Sequence, residues 1–168
     1  MGGCAKGLLR GPDGRMLAER LRDVTAPVAD VVLVGQARQY AALGLASVPD
    51  ARAGIGPLGG LLGLLERANG GVALAIACDM PWVSSDLVDA LLAAPSDAPI
   101  VAPKRGGRWE PLCARYDAAR VRPLAERHAD RGETSLQRLL DAAGACPLRE
   151  AAYDPRELRD WDEPADLP

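Results

Sequence analysis

Compact apolar segments alternate with amphipathic ones along this chain. Residues 30–34, 72–77 and 99–102 are short runs of apolar residues, a pattern typical of buried strands. Leucines recur at helical spacing in 61–68 and again after the serines at 84 and 85, which suit a helix N-cap. This alternation predicts an α/β fold with three layers around a mainly parallel, Rossmann-like sheet.

The remaining segments give weaker signals that complete the predicted fold. We expect helices over 15–23, 39–43 and 118–128, a loop over 45–60, a strand over 112–116 that returns antiparallel, and a helix opened by a capping box at 134–137 and closed by Gly144. No repeat or linker divides the chain, so residues 1–168 are expected to form a single domain.

Composition and charge restrict the class of protein. The 168 residues are 48% hydrophobic and 26% charged, with a formal net charge of −3, which argues against a general nucleic-acid binder. Without a signal peptide or an apolar run of roughly 20 residues, we expect no membrane association and a cytoplasmic location. Four separated cysteines and a single histidine, His128, which we expect to be solvated, disfavour disulfide, zinc and His-based nucleophilic chemistry.

Four segments carry candidate chemistry. The strand over 72–77 runs into C-D-M-P at 78–81, so Asp79 is expected at the carboxyl end of a strand, where open α/β sheets bind ligands. Glycine-rich segments at 1–9, which includes Lys6, and at 54–60, before a helix, suit anion binding. An acidic run at 160–164 offers a second carboxylate for Mg²⁺, which usually takes one or two from the protein. Each segment also has a purely structural interpretation. Asp79 could simply begin a turn, and residues 1–9 could be a flexible terminus. The glycines at 54–60 could permit tight helix packing, and the acids at 160–164 could form a solvated surface.

These segments resemble, in order, those of the MobA-type molybdenum cofactor guanylyltransferases. The matching motifs are G-G-x-x-K-G-L-L at 2–9, G-P-L-G-G at 56–60, C-D-M-P at 78–81, E-P-L-x-A-x-Y at 110–116 and D-E-P-A-D-L at 162–167. The resemblance implies a nucleotidyltransferase fold of the GT-A-like type. It also implies an Mg²⁺-dependent enzyme that joins GMP from GTP to molybdenum-carrying molybdopterin and releases pyrophosphate.

The resemblance also implies residue roles. Lys6 and Asp79 are the implied catalytic residues, and Asp79 and Asp162 the implied metal ligands. The implied nucleotide-binding residues are Gly2, Gly3, Lys6, Gly35, Asp50, Gly56, Pro57 and Asp79. Basic residues at 104, 105 and 108 either contact the anionic pterin or form a solvated turn.

The start of the chain departs from the family pattern. Family members usually have a first strand and a longer glycine loop, whereas this chain begins at the final Met-Gly-Gly, so the first strand is expected to be missing. Either the start is assigned too far downstream, and a longer form is the functional one, or the chain is a truncated homologue. Two alternatives to the implied function stay open. One is a related enzyme that uses CTP or another acceptor, and the other is a truncated, catalytically silent protein that binds cofactor-handling partners.

Overall fold

The computed structural model describes residues 6–11, 13–35, 38–95 and 97–161. Its α-helices are α1 (Leu17–Thr25), α2 (Pro57–Arg67), α3 (Ser85–Ala93), α4 (Ala118–Asp130) and α5 (Leu136–Ala143). Its strands are β1 (Val32–Val34), β2 (Ala46–Val48), β3 (Val72–Ile76), β4 (Ile100–Ala102), β5 (Lys104–Arg105), β6 (Arg108–Trp109), β7 (Cys113–Asp117) and β8 (Cys146–Pro147). Short 3-10 helices span Lys6–Leu8, Arg38–Leu43, Glu150–Ala152 and Pro155–Leu158.

The strands form a mixed arrangement. In the larger sheet the order is β3-β7-β4-β8, with β7 antiparallel to both neighbours and β4 parallel to β8. Strands β1 and β2 pair in parallel as a second sheet, and β5 and β6 form a hairpin. The predicted α/β fold is confirmed, and so is the antiparallel return of β7. The connection 103–112 explains that return, because it is too short for the crossover that a parallel neighbour requires. The larger sheet is less parallel than predicted because β1 and β2 pair apart from it, which leaves β4–β8 as its parallel pair in the described part of the chain.

The larger sheet separates two apolar cores, which gives the three predicted layers. Alternate residues of β3 point to opposite faces, so Ala73 and Ala75 join one core while Leu74 and Ile76 pack against the other. Helices α2, α4 and α5 cover the first face, and α1 and α3 cover the second.

Helix α2 packs against β1, β2 and β3, so it ties the two sheets together. The sequence pattern predicted a loop over 45–60 and a helix from 61, whereas β2 lies inside that range and α2 begins at Pro57. Glycine lowers helix propensity, which hides the first turn of α2. The glycines are needed there because a Cβ on Gly59 or Gly63 would collide with a backbone carbonyl of the loop beside it.

Two polar side chains lie differently from the prediction. His128 is 5% exposed rather than solvated, because it shares the buried face of α4 with Val121 and Ala125. Gln137 does not close a capping box: its side chain accepts from the backbone N–H of Trp109 at 3.0 Å and donates to the Trp109 carbonyl at 2.8 Å. Ser135 caps α5 by accepting from the N–H of Arg138.

Replacing Gly59 by alanine is expected to lower the free energy of unfolding by about 1–3 kcal/mol. Alanine is the better helix former, but its methyl group would meet the carbonyl oxygen of Arg52. Urea denaturation followed by circular dichroism measures the change. Glu66→Ala, an exposed change in the same helix, is the control and should stay within about 0.5 kcal/mol of wild type. Stabilisation by Gly59→Ala would contradict the close contact.

Candidate active site

The two predicted catalytic residues lie together. Lys6 Nζ donates to Asp79 Oδ2 at 2.9 Å, and the side chains are 28% and 18% exposed. Asp79 lies just beyond the end of β3, whose course is held by a 2.7 Å hydrogen bond from the Ala77 N–H to the Leu112 carbonyl. The structure therefore joins a lysine and a carboxylate from distant parts of the chain at one strand end.

Tyr40 packs beside this pair and was not identified from the sequence. Its hydroxyl accepts from the Gly7 N–H at 3.1 Å and lies 3.9 Å from the Cys78 Sγ. A Cβ on Gly7 would approach the Tyr40 ring to 2.9 Å and the Cys78 Cβ to 3.2 Å. Glycine at position 7 therefore lets the segment that carries Lys6 lie against the turn that carries Asp79.

The described end of the acidic run, Asp160 and Trp161, also reaches the site. The Trp161 N–H donates to the carbonyl of Asp79 at 2.9 Å, and Trp161 is only 4% exposed. A large aromatic residue among acids is the sequence signal that could have indicated such an anchor, but the acids alone were assigned a role there. Three predicted site residues, Gly2, Gly3 and Asp162, lie outside the described residues.

A second cluster contains the other predicted nucleotide-binding residues. Gly35 follows β1 with a φ of +96°, and Asp50 follows the neighbouring parallel strand β2. Asp50 Oδ1 lies 3.8 Å from the position of a Cβ on Gly35 and 3.3 Å from that of a Cβ on Gly60, in the first turn of α2. Gly56 and Pro57 begin the same turn, which lacks a side-chain cap. A helix start without a side-chain cap and a nearby carboxylate suit a polar ligand.

Gly56 has a different structural requirement from Gly59. Its φ of 64° and ψ of −149° belong to a region that essentially only glycine adopts, and the space around its Cβ position is open. The glycine-rich segment was interpreted from its sequence either as an anion-binding turn or as a site of tight helix packing, and it fits both. Gly59 allows the tight packing, while Gly56 leaves the start of the helix open to a ligand.

The acidic groups fit a cation that is shared with a ligand. Within the described ranges, no three His, Cys, Asp or Glu side chains cluster closely enough to hold a metal on their own. Asp79 supplies hard carboxylate oxygens with some solvent access. One such carboxylate suits a hard divalent ion that takes its other ligands from phosphate and water.

The basic hairpin beside the site is largely engaged in contacts. Lys104 Nζ lies 4.0 Å above the ring of Trp109, and Arg105 pairs with Glu110 at 2.7 Å and Asp160 at 3.1 Å. Arg108 lies opposite Arg105 in the hairpin register.

The cysteines are chemically quiet. Cys78, Cys113 and Cys146 are free thiols. Burial, and then the charge of Asp79, raises the pKa of Cys78, and burial raises that of Cys113 to about 12. Both thiols are therefore protonated at neutral pH.

The Asp79→Asn protein is expected to show faster alkylation of Cys78 at pH 7.5. Removing the Asp79 charge lowers the Cys78 pKa and increases its thiolate fraction. Iodoacetamide labelling resolved by peptide mass spectrometry isolates Cys78 from the other thiols. Asp86→Asn, an exposed change in α3, should leave the rate at the wild-type value. An unchanged rate in Asp79→Asn would show that the Asp79 charge does not act on the thiol.

Comparisons with known proteins identify a family. Residues 1–147 match the family model described as the MobA-like NTP transferase domain. A molybdenum cofactor guanylyltransferase of Pseudomonas putida is 33% identical over 99% of this chain and 88% of its own length. One from Pseudomonas entomophila is 31% identical over 98% of this chain and 87% of its own length.

Solved structures share the fold. The molybdopterin-guanine dinucleotide biosynthesis protein A of Archaeoglobus fulgidus superposes with a TM-score of 0.78 at 21% identity, over 98% of this chain and 88% of that one. The 2-C-methyl-D-erythritol 4-phosphate cytidylyltransferase of Thermus thermophilus gives 0.69 at 21% identity, over 96% and 89%. No helix in the described part of the chain has the length and apolarity needed to cross a membrane. The predicted resemblance is confirmed: the chain belongs to the MobA-like NTP transferase family.

Proposed function

We propose that this chain, as one domain over residues 1–168, transfers GMP from GTP to molybdenum-carrying molybdopterin and releases pyrophosphate. The supporting observation is the 2.9 Å pair between Lys6 and Asp79 at the carboxyl end of β3. Relatives that cover nearly the whole chain are named molybdenum cofactor guanylyltransferases. The substrates proposed for this chain are GTP and molybdopterin. The reaction is proposed to take place in the cytoplasm.

The reaction requires charge control and positioning more than proton transfer. An oxygen of the acceptor's terminal phosphate attacks the α-phosphorus of GTP, and the bond from that phosphorus to the oxygen bridging to the β-phosphate breaks. Because the attacking phosphate is already ionised, no general base is needed, and His128 is buried in α4 without such a role. Lys6 contacts the triphosphate and offsets its negative charge, which stabilises the transition state electrostatically.

Asp79 and Asp162 are the proposed ligands of Mg²⁺. Asp79 offers a partly accessible carboxylate, whose hard oxygens suit this ion. Asp162 directly follows Trp161, whose N–H donates to the Asp79 carbonyl. When bound, Mg²⁺ offsets the charge on the phosphate oxygens of the substrate and the leaving pyrophosphate.

The cluster around Asp50 is proposed to hold the guanosine portion. Guanine presents N–H donors on the edge that a carboxylate recognises, and Asp50 lies beside Gly35 and the first turn of α2. Gly35, Gly56 and Pro57 would let the ligand approach the backbone, and Gly2 and Gly3 are proposed to line the phosphates. The proposal also includes an association of this chain with proteins that handle the cofactor.

Asp79→Asn and Lys6→Ala are each expected to lower kcat for pyrophosphate release from GTP about 100- to 1000-fold. Each change removes a charge that neutralises or orients the triphosphate. A coupled pyrophosphate assay with GTP, Mg²⁺ and molybdopterin measures the rates. Asp86→Asn, outside the site, should retain wild-type kcat. Wild-type-like turnover in Asp79→Asn would remove the catalytic assignment of Asp79, whereas no turnover by the wild-type protein would favour the silent binding homologue.

Asp50→Ala is expected to raise the KM for GTP about tenfold and to change kcat much less. The carboxylate is proposed to contact only the nucleoside, so its loss weakens binding of the ground state and transition state alike. Steady-state rates with GTP and with CTP measure the discrimination. Equal use of CTP by the wild-type protein would instead support the cytidylyltransferase alternative.

A further inference from the structure

Arg105 connects two carboxylates that belong to different parts of the chain. Its Nε donates to Glu110 Oε1 at 2.7 Å, and its Nη1 donates to Asp160 Oδ1 at 3.1 Å. Glu110 follows the β5–β6 hairpin that carries Arg105, whereas Asp160 is 55 residues away in sequence. The guanidinium therefore fastens the segment that carries Asp160 and Trp161 to the hairpin.

Both carboxylates lie on segments that hold the backbone around Asp79. Two residues after Glu110, the Leu112 carbonyl accepts from the Ala77 N–H at 2.7 Å. Next to Asp160, the Trp161 N–H donates to the Asp79 carbonyl at 2.9 Å. These contacts form a closed circuit around the carboxyl end of β3, and Arg105 is the residue that closes it.

We propose that Arg105 is a positioning residue, which clamps the segment carrying Asp160 and Trp161 against the turn that presents Asp79. The catalytic part of this inference rests on the proposed function; the clamp itself does not. Through Trp161, the clamp holds the turn that presents Asp79, whereas the cluster around Asp50 lies outside the circuit. Loss of the clamp should therefore affect turnover more than nucleotide binding.

The chemistry of the side chain suits this role. Guanidinium donors point in several fixed directions, so one arginine can bind two carboxylates, whereas a lysine ammonium is a compact point charge. Burial raises the pKa of Glu110, so its ionised form gains from the adjacent cation. Two carboxylates also compensate the charge of Arg105, which makes it a structural tie rather than a free cation for the anionic acceptor.

Hydrogen exchange tests the clamp without any activity. Backbone exchange of residues 150–161 is measured by mass spectrometry in wild type, Arg105→Ala, Asp160→Asn and the double variant. Arg108→Ala is the matched control, because Arg108 lies opposite Arg105 in the same hairpin. The Trp161 region should exchange about two- to fivefold faster in each single variant. The double variant should add little to either, and Arg108→Ala should match wild type. Wild-type exchange in Arg105→Ala would overturn the clamp.

Kinetics test the consequence for the reaction. Arg105→Ala should lower kcat about tenfold and keep the KM for GTP within about twofold. Arg105→Lys should recover part of kcat. The urea midpoint of Arg105→Ala should equal that of Arg108→Ala, which separates positioning from a general loss of stability. Faster exchange with unchanged kcat would overturn the positioning role. If the wild-type protein releases no pyrophosphate from GTP, the proposed function fails, while the exchange comparison still decides the clamp.

Discussion

The contact between Lys6 and Asp79 organises the site. Both side chains are partly exposed, so the pair contributes only about 0–1 kcal/mol to folding, and its importance is geometric. It fixes a cation beside a carboxylate at the end of β3, an arrangement that suits the proposed triphosphate and divalent ion. Gly7 permits the approach because only a residue without a Cβ fits against Tyr40, and Trp161 holds the Asp79 backbone from the other side.

The second constraint is the close packing of α2. Gly59 and Gly63 bring the helix against the loop that follows β2, and this places Asp50 beside the first turn of the helix. Because α2 also packs on β1 and β3, the same helix lies behind both clusters of the site. Both clusters, which are proposed to hold the phosphates and the nucleoside, are therefore tied to the core through one helix rather than to independent loops.

The sequence predicted the features that depend on interactions between residues close together in the chain. The strand before Asp79, the Ser84 cap and the left-handed Gly144 were all recognisable, because periodicity and capping act over a few residues. Strand β2 was missed because Ala-Ser-Val has a weak strand pattern of its own and is stabilised by pairing with β1. Tyr40 and Trp161 were missed, and Arg105 was considered only as an acceptor contact or part of a solvated turn, because their contacts join segments that are distant in sequence. Their roles depend on the tertiary fold, which no short motif contains. The family resemblance implied catalytic roles for Lys6 and Asp79, which spacing alone left open.

A crystal structure of the protein with a non-hydrolysable GTP analogue and Mg²⁺ would test the assignment of the site most directly. We expect Lys6 to lie within hydrogen-bond distance of the triphosphate, Asp79 to coordinate the ion, and the guanine to lie beside Asp50. A nucleotide bound elsewhere, with Lys6 and Asp79 remaining paired only to each other, would contradict this assignment.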